Sequence, residues 1–162
     1  MSAFRIEPAR EQDVGEILRL IRALADYEKA RSEEVPVDEE RLRQALFGPH
    51  PRAEALIGWL DGGAVALALF FHNFSTWQGR PGLYLEDLFV EPEMRGRGFG
   101  KALLAELAGI ARRRDCARME WAVLDWNRPA IDFYQGLGAR PLNEWTIFRM
   151  TGEAIDRLAE SK

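Results

Sequence analysis

Apolar residues at Val14, Ile17, Leu18, Ile21, Leu24 and Ala25 recur every three to four positions. That spacing predicts an amphipathic helix over about residues 11 to 28. A strand, "FRIEPA" (Phe4 to Ala9), precedes it. A shorter helix carrying Leu42, Ala45 and Leu46 follows, with Asp38 placed to cap it and "GPHP" to end it. Two apolar runs, "AEALIGWL" and "AVALALFFHNF", then flank "DGG", a strong hairpin signal. "YLEDLFVEP" (Tyr84 to Pro92) reads as the next strand. Phe99, Leu103, Leu107 and Ile110 mark a helix to about Arg114. "ARMEWAVL" is a further strand. "NRPAIDFYQG" is a helix, with Asn127 as N-cap and Pro129 in its first turn. "EWTIFRM" is a last strand, and a short helix runs from Gly152 to Ala159. The order β-α-α-β-β-β-α-β-α-β-α predicts an α/β domain with an antiparallel start and at least one parallel crossover.

Composition narrows the class. The 162 residues suit one domain, with 47% hydrophobic and 30% charged residues, so a globular core is expected without disulfides or metals. Net charge is −4, which gives no general affinity for nucleic acid. The single thiol, Cys116, forms no internal disulfide and points to a reducing cytoplasm. It reads as a small residue at a helix-to-strand junction rather than a nucleophile. No apolar run approaches the ~20 residues of a membrane span, and "MSAFRIEPAR" has no signal-peptide core. His50 and His72 form no ligand pattern, so no metal is expected.

The chemistry concentrates at "RGRGFGK", Arg95 to Lys101, between a strand and a helix. Glycines there let the backbone approach a ligand, and the helix start offers unpaired N–H groups to an anion. A phosphate site is the natural expectation. The P-loop pattern fails twice, because Arg95 and Ala102 stand where Gly and Ser or Thr are required. The dinucleotide fingerprint fails on spacing: the glycines are Gly96, Gly98 and Gly100.

What remains, R-x-x-G-x-G, resembles the pyrophosphate-binding turn of the GCN5-related N-acetyltransferases. The later segment "WNRPAIDFYQGLGA" is similar to a second motif of that superfamily, through Asn127, Ala130, Phe133, Tyr134 and Gly138; Ala139 departs from its usual aromatic. "LYLEDLFV" and the early "LADYE" narrow the resemblance to the diamine (spermidine/spermine) N-acetyltransferases, over nearly the whole chain. The resemblance implies a mixed, mostly antiparallel central sheet flanked by helices, acetyl-CoA as cofactor, a small cationic amine as acceptor and a homodimer. It implies a cofactor site from Leu88, Phe89 and Val90, from Arg95, Gly96, Arg97, Gly98, Phe99, Gly100 and Lys101, and from Asn127, Ala130 and Tyr134. It places Tyr27, Glu28, Glu86, Glu120 and Trp121 near the acceptor. It also implies that the strand "YLEDLFV" bulges and splays from its neighbour.

Acetyl transfer to an amine needs a base, because an alkylammonium has a pKa of ~10.4. It also needs donors for an oxyanion and a proton for the departing thiolate. Alternation along "YLEDLFV" puts Tyr84, Glu86, Leu88 and Val90 on one face and Asp87 on the other, unless a bulge intervenes. Glu86 is therefore the candidate base, acting through water, with partial burial raising its pKa. Asp87 is expected to pair with a basic or backbone group and serve the fold. Tyr134 is the candidate acid. The triplet Arg112-Arg113-Arg114 reads as a solvated helix end. A non-catalytic acetyl-CoA-binding module shares the glycine turn and is the alternative; the presence of Glu86 and Tyr134 favours the enzyme.

Overall fold

The computed structural model describes residues 3–161, which divide into two compact units, Met1–Ala122 and Val123–Lys162. The first unit holds a five-stranded sheet, with strand order β1-β2-β3-β4-β5. The strands are β1 (Arg5–Pro8), β2 (Glu54–Leu60), β3 (Gly63–Ser75), β4 (Arg80–Val90) and β5 (Met119–Glu120). The first four pair antiparallel, and β5 joins β4 in parallel after a helical crossover. The antiparallel start and parallel crossover are those the element order predicts, and the mixed, mostly antiparallel sheet flanked by helices is the one the family resemblance implies.

The helices follow their patterns closely. A 3-10 turn, Glu11–Asp13, leads into α1 (Val14–Tyr27), which buries Val14, Ile17, Leu18 and Leu20. Asp38 caps α2 (Glu39–Phe47) by accepting from the Arg41 amide at 2.8 Å. These two helices cover one face of the sheet over Ala55, Ile57, Leu67 and Phe89. Helix α3 (Phe99–Arg113) buries Phe99, Leu103, Leu104, Leu107, Ile110 and Ala111. Phe99 stacks on Phe4, ring centroids 3.9 Å apart, and Phe4 in turn occupies the space where Gly58 lacks a Cβ. The "DGG" hairpin forms with Asp61 and Gly62 at φ 52° and 83°, the two positive values of a type I′ turn.

Two of the three arginines at the end of α3 form surface ion pairs. Arg113 meets Glu106 at 3.5 Å, and Arg114 holds Glu54 with both terminal nitrogens, at 2.7 and 2.9 Å. Cys116 is half-buried just beyond that helix, its amide bonded to the Ala111 carbonyl.

In the second unit, α4 (Arg128–Gly136) is capped by Asn127, whose Oδ1 accepts from the Ala130 amide at 3.4 Å. Gly138 follows at φ 93°. A last helix, α5 (Glu153–Ala159), begins after Gly152. Two strand expectations need correction. "ARMEWAVL" pairs only at Met119 and Glu120, and "EWTIFRM" forms no strand. β-rich composition alone does not make a strand: a ladder needs a neighbouring edge, and Ile147 and Phe148 stand 78% and 91% exposed.

Candidate active site

Strand β4 carries the site, and one residue inserted into its ladder sets the geometry. Leu85 pairs with Phe70 and Asp87 with Leu69, so Glu86 has no partner on β3 and forms a β-bulge. One extra residue reverses the sense of alternation along the strand. Tyr84, opposite Phe71, therefore shares a face with Asp87 and Phe89, opposite Leu69 and Leu67. Leu88 and Val90, opposite Ala68 and Ala66, turn to the α3 face.

This corrects the face assignment made from simple alternation. Glu86 is exposed, so the partial burial expected of it is not there. Asp87 carries the burial instead. It lines an open concavity under α1 with Ile21, Leu24, Ala25, Glu28 and Ala30. Loss of water pushes its carboxyl from an ordinary 3.8 up to about 6, with repulsion from Glu86 and then Glu28 adding to it. Glu28, at the rim, is raised by desolvation as well. Among the described residues no cation forms an ion pair with Asp87, so the expected basic partner is not there. The concavity is thus an apolar floor with two carboxylates, one of them costly to ionise.

The open edge of β4 faces the other requirement. The Glu91 amide bonds back to the Val65 carbonyl on β3. By alternation, the backbone groups of Leu88 and Val90 project off the opposite edge. There β5 pairs only with Leu83 and Tyr84, so the ladder stops before the bulge. Of the bulge and splay that the family resemblance implies, the bulge is present in the register of β3 and β4. The rings of Phe89 and Phe99 are 2% and 9% exposed, which leaves only their backbone to serve a ligand.

Beyond β4 the chain makes a 3-10 turn, Pro92–Met94, and enters the glycine turn. Gly96 and Gly98 stand at φ 74° and 83°, and an added Cβ at either would meet open space. Their conformation, rather than crowding, calls for glycine. Gly98 caps α3, and the first helical bond runs from the Ala102 amide to its carbonyl. The amides of Phe99, Gly100 and Lys101 precede that bond and are the orphan donors of a helix start. Arg95, Arg97 and Lys101 are exposed around them. Open space, orphan amides and three cations fit a diphosphate such as that of coenzyme A.

The turn is braced from α1. Arg19 donates to Glu16 at 2.9 Å, to Glu91 at 2.5 Å and to the Ala64 carbonyl at 2.5 Å. Arg95 lies with its guanidinium carbon 4.3 Å from the ring centre of Tyr27, and its Nε donates to the Val90 carbonyl at 3.0 Å. Glu120 sits opposite Tyr84 in the parallel pair and forms an ion pair with Arg118. Trp121, half-buried, follows it. Tyr134 and Asn127 belong to the second unit, where Tyr134 is half-buried on α4 with the Phe133 ring 5.5 Å away. Sequence reasoning missed Asp87 as a site residue; an apolar strand with one carboxylate too many was the available signal, and the bulge decides which of the two is enclosed.

Among the described residues there is no group of three or more His, Cys, Asp or Glu able to hold a metal, and no helix long and apolar enough to cross a membrane. Comparison with known proteins agrees with the geometry. A thialysine N-epsilon-acetyltransferase from Bos taurus is 41% identical over 170 residues, covering 98% of this chain and 99% of the relative. A human spermidine/spermine N(1)-acetyltransferase-like protein is 32% identical over 96% of this chain and 24% of its own length. An integron cassette protein from V. cholerae superposes with a TM-score of 0.83 at 25% identity, over 99% of both chains. The acetyltransferase (GNAT) family pattern matches residues 17–139. The chain belongs to the acetyltransferase (GNAT) family of acyl-transferring enzymes.

Proposed function

We propose that the chain transfers an acetyl group from acetyl-CoA to a primary amine of a small cationic acceptor, such as a thialysine-like amino acid, a diamine or a polyamine. The observation that carries the acceptor side is the open concavity lined by Asp87 and Glu28. A partly desolvated carboxylate with no cationic partner is a favourable place for an ammonium, which restores the charge balance that burial removed. The relatives named for thialysine and spermidine or spermine support a flexible, cationic amine.

Acetyl-CoA supplies the activated thioester; the chain's own groups do the rest. Arg95 and the amides of the glycine turn, from Gly96 through Lys101, hold the diphosphate. The backbone of Leu88 and Val90, on the open edge of β4, aligns the amide-bearing arm as an added strand does. Glu86 takes the ammonium proton through water, and its exposure keeps water within reach. Tyr134 gives its phenolic proton to the departing thiolate, and Asn127 and Ala130 belong to the same cofactor motif. Glu120 and Trp121 extend the acceptor surface. The whole chain is one catalytic domain and works as a homodimer; scattering that showed an active, stable monomer would refute the dimer.

The test is acetyl-CoA turnover across thialysine, lysine, ornithine, putrescine, spermidine, spermine and neutral arylamines. Cationic alkylamines are expected to react and neutral arylamines to fail. Tight coenzyme A binding with no turnover on any amine would favour a non-catalytic binding module.

A further inference from the structure

The Arg95 side chain is fixed on two sides before any ligand is considered. Its guanidinium carbon lies over the Tyr27 ring, 4.3 Å from the centroid, and its Nε donates to the Val90 carbonyl at 3.0 Å. Phe89, 5.8 Å away, backs the same cation. A planar guanidinium has one face and one further edge left, and that edge carries its two terminal amino groups. A fork held by one face and one edge presents those amino groups in a fixed plane, which suits two oxygens of a phosphate.

We infer that Tyr27 is a positioning residue for the cofactor: its ring holds Arg95 as a preformed fork for the diphosphate. This rests on the reading that the glycine turn binds coenzyme A. It assigns the face of Tyr27 to Arg95, whereas the family resemblance places that side chain near the amine. Tyr27 ends α1 and Glu28 follows it at the rim of the acceptor concavity, so one turn of chain supports both substrates. Holding Arg95 in advance spares coenzyme A the loss of side-chain freedom that a mobile arginine would suffer on binding.

The test is coenzyme A affinity by titration calorimetry, with no acceptor present. An exposed cation–π contact of about 0.5–1 kcal/mol predicts that Tyr27→Leu weakens coenzyme A binding roughly two- to fivefold. Tyr27→Phe, which keeps the ring face, should bind within a factor of about two of the unaltered chain. In an Arg95→Gln background, Tyr27→Leu should cause no further loss, because the ring then has no fork to hold. Arg95→Lys, with Tyr27 intact, should lose at least as much as Tyr27→Leu, since an ammonium keeps the charge without the plane; it stands in if Tyr27→Leu fails to fold. Unchanged affinity in Tyr27→Leu or Arg95→Lys would overturn the inference. So would an equal loss from Tyr27→Leu in the Arg95→Gln background, which would mean that Tyr27 acts on the ligand or the fold directly. An unaltered chain that binds no coenzyme A would overturn the cofactor reading itself, a distinct result.

Discussion

Replacing Asp87 by Asn removes a charge that the fold holds at a cost. Burial, repulsion from Glu86 and repulsion from Glu28 together raise the Asp87 carboxyl from 3.8 to about 6. At about 1.36 kcal/mol per pKa unit, the ionised form is disfavoured in the fold by up to about 3 kcal/mol. Between those two pH values the folded chain keeps a proton on Asp87 that the unfolded chain releases. The contribution of this group is therefore most favourable below pH 3.8 and is lost as pH rises through about 6. At pH 7 the Asn variant escapes that cost. A buried amide still gives up water, so the expected gain is smaller, about 1–2 kcal/mol, or a rise in Tm of roughly 3–6 °C for a chain of this size.

The assay is thermal unfolding of Asp87→Asn against the unaltered chain from pH 4 to pH 8, in parallel with acceptor binding. The Tm advantage of the variant should be largest above pH 7 and shrink toward pH 4. Acceptor affinity should move the other way. Losing a charge-assisted contact should weaken amine binding at pH 7.5 by about tenfold or more. Binding to the unaltered chain should also fall as pH drops through about 6 and the carboxyl is neutralised. If Asp87→Asn lowers Tm at pH 7 by an amount that does not change with pH, Asp87 is a structural hydrogen-bonding residue and the acceptor argument fails.

The other outcomes are more local. Glu86→Gln should lower the rate most at neutral pH and less as the amine itself deprotonates; an unchanged pH–rate profile would remove Glu86 from the base role. Tyr134→Phe should reduce kcat about tenfold or more while coenzyme A affinity holds, and a loss of affinity alone would make it a binding residue. Gly98→Ala, at φ 83°, should cost about 1–2 kcal/mol in stability and also weaken coenzyme A, readable by thermal unfolding and calorimetry together. Arg114→Met opens a two-nitrogen pair with Glu54 that is nearly half exposed on both sides, so unfolding should show only about 0.5–1 kcal/mol of loss.

Where local chemistry dictates local structure, the fold is legible in the chain. The α1 stripe, the Asp38 and Asn127 caps, the Asp61-Gly62 turn and the glycine turn each rest on residues within one or two turns of each other. The failures have a common cause. "EWTIFRM" has the residues of a strand, but pairing depends on an edge that its own sequence does not encode. Arg95 over Tyr27 joins positions far apart in sequence, and no spacing rule connects a helix end to a turn beyond β4. Of the candidate site, the conformation of the glycine turn was readable because Gly96 and Gly98 have a conformational reason to be there. The placing of Asp87 in the concavity was not, since it depends on a ladder interruption.

That interruption decides how "ED" in "YLEDLFV" divides its work. A regular strand would have turned Glu86 to one face and Asp87 to the other, giving the enclosed position to only one of them by parity. The bulge removes Glu86 from the ladder and returns Asp87 to the face of Tyr84 and Phe89, under α1. The two carboxylates then meet different demands. A group that must recognise a cation gains from low dielectric, because an ammonium is attracted more strongly where water is scarce. A group that must exchange a proton with water gains from exposure. Asp87 is desolvated and Glu86 is exposed, so in the proposed mechanism recognition and proton transfer fall to adjacent residues, and the backbone sets them apart. Deleting Glu86, the one residue between Leu85 and Asp87, would regularise the ladder and still leave Asp87 opposite Leu69, so on the proposed roles proton transfer should fail while acceptor recognition is kept.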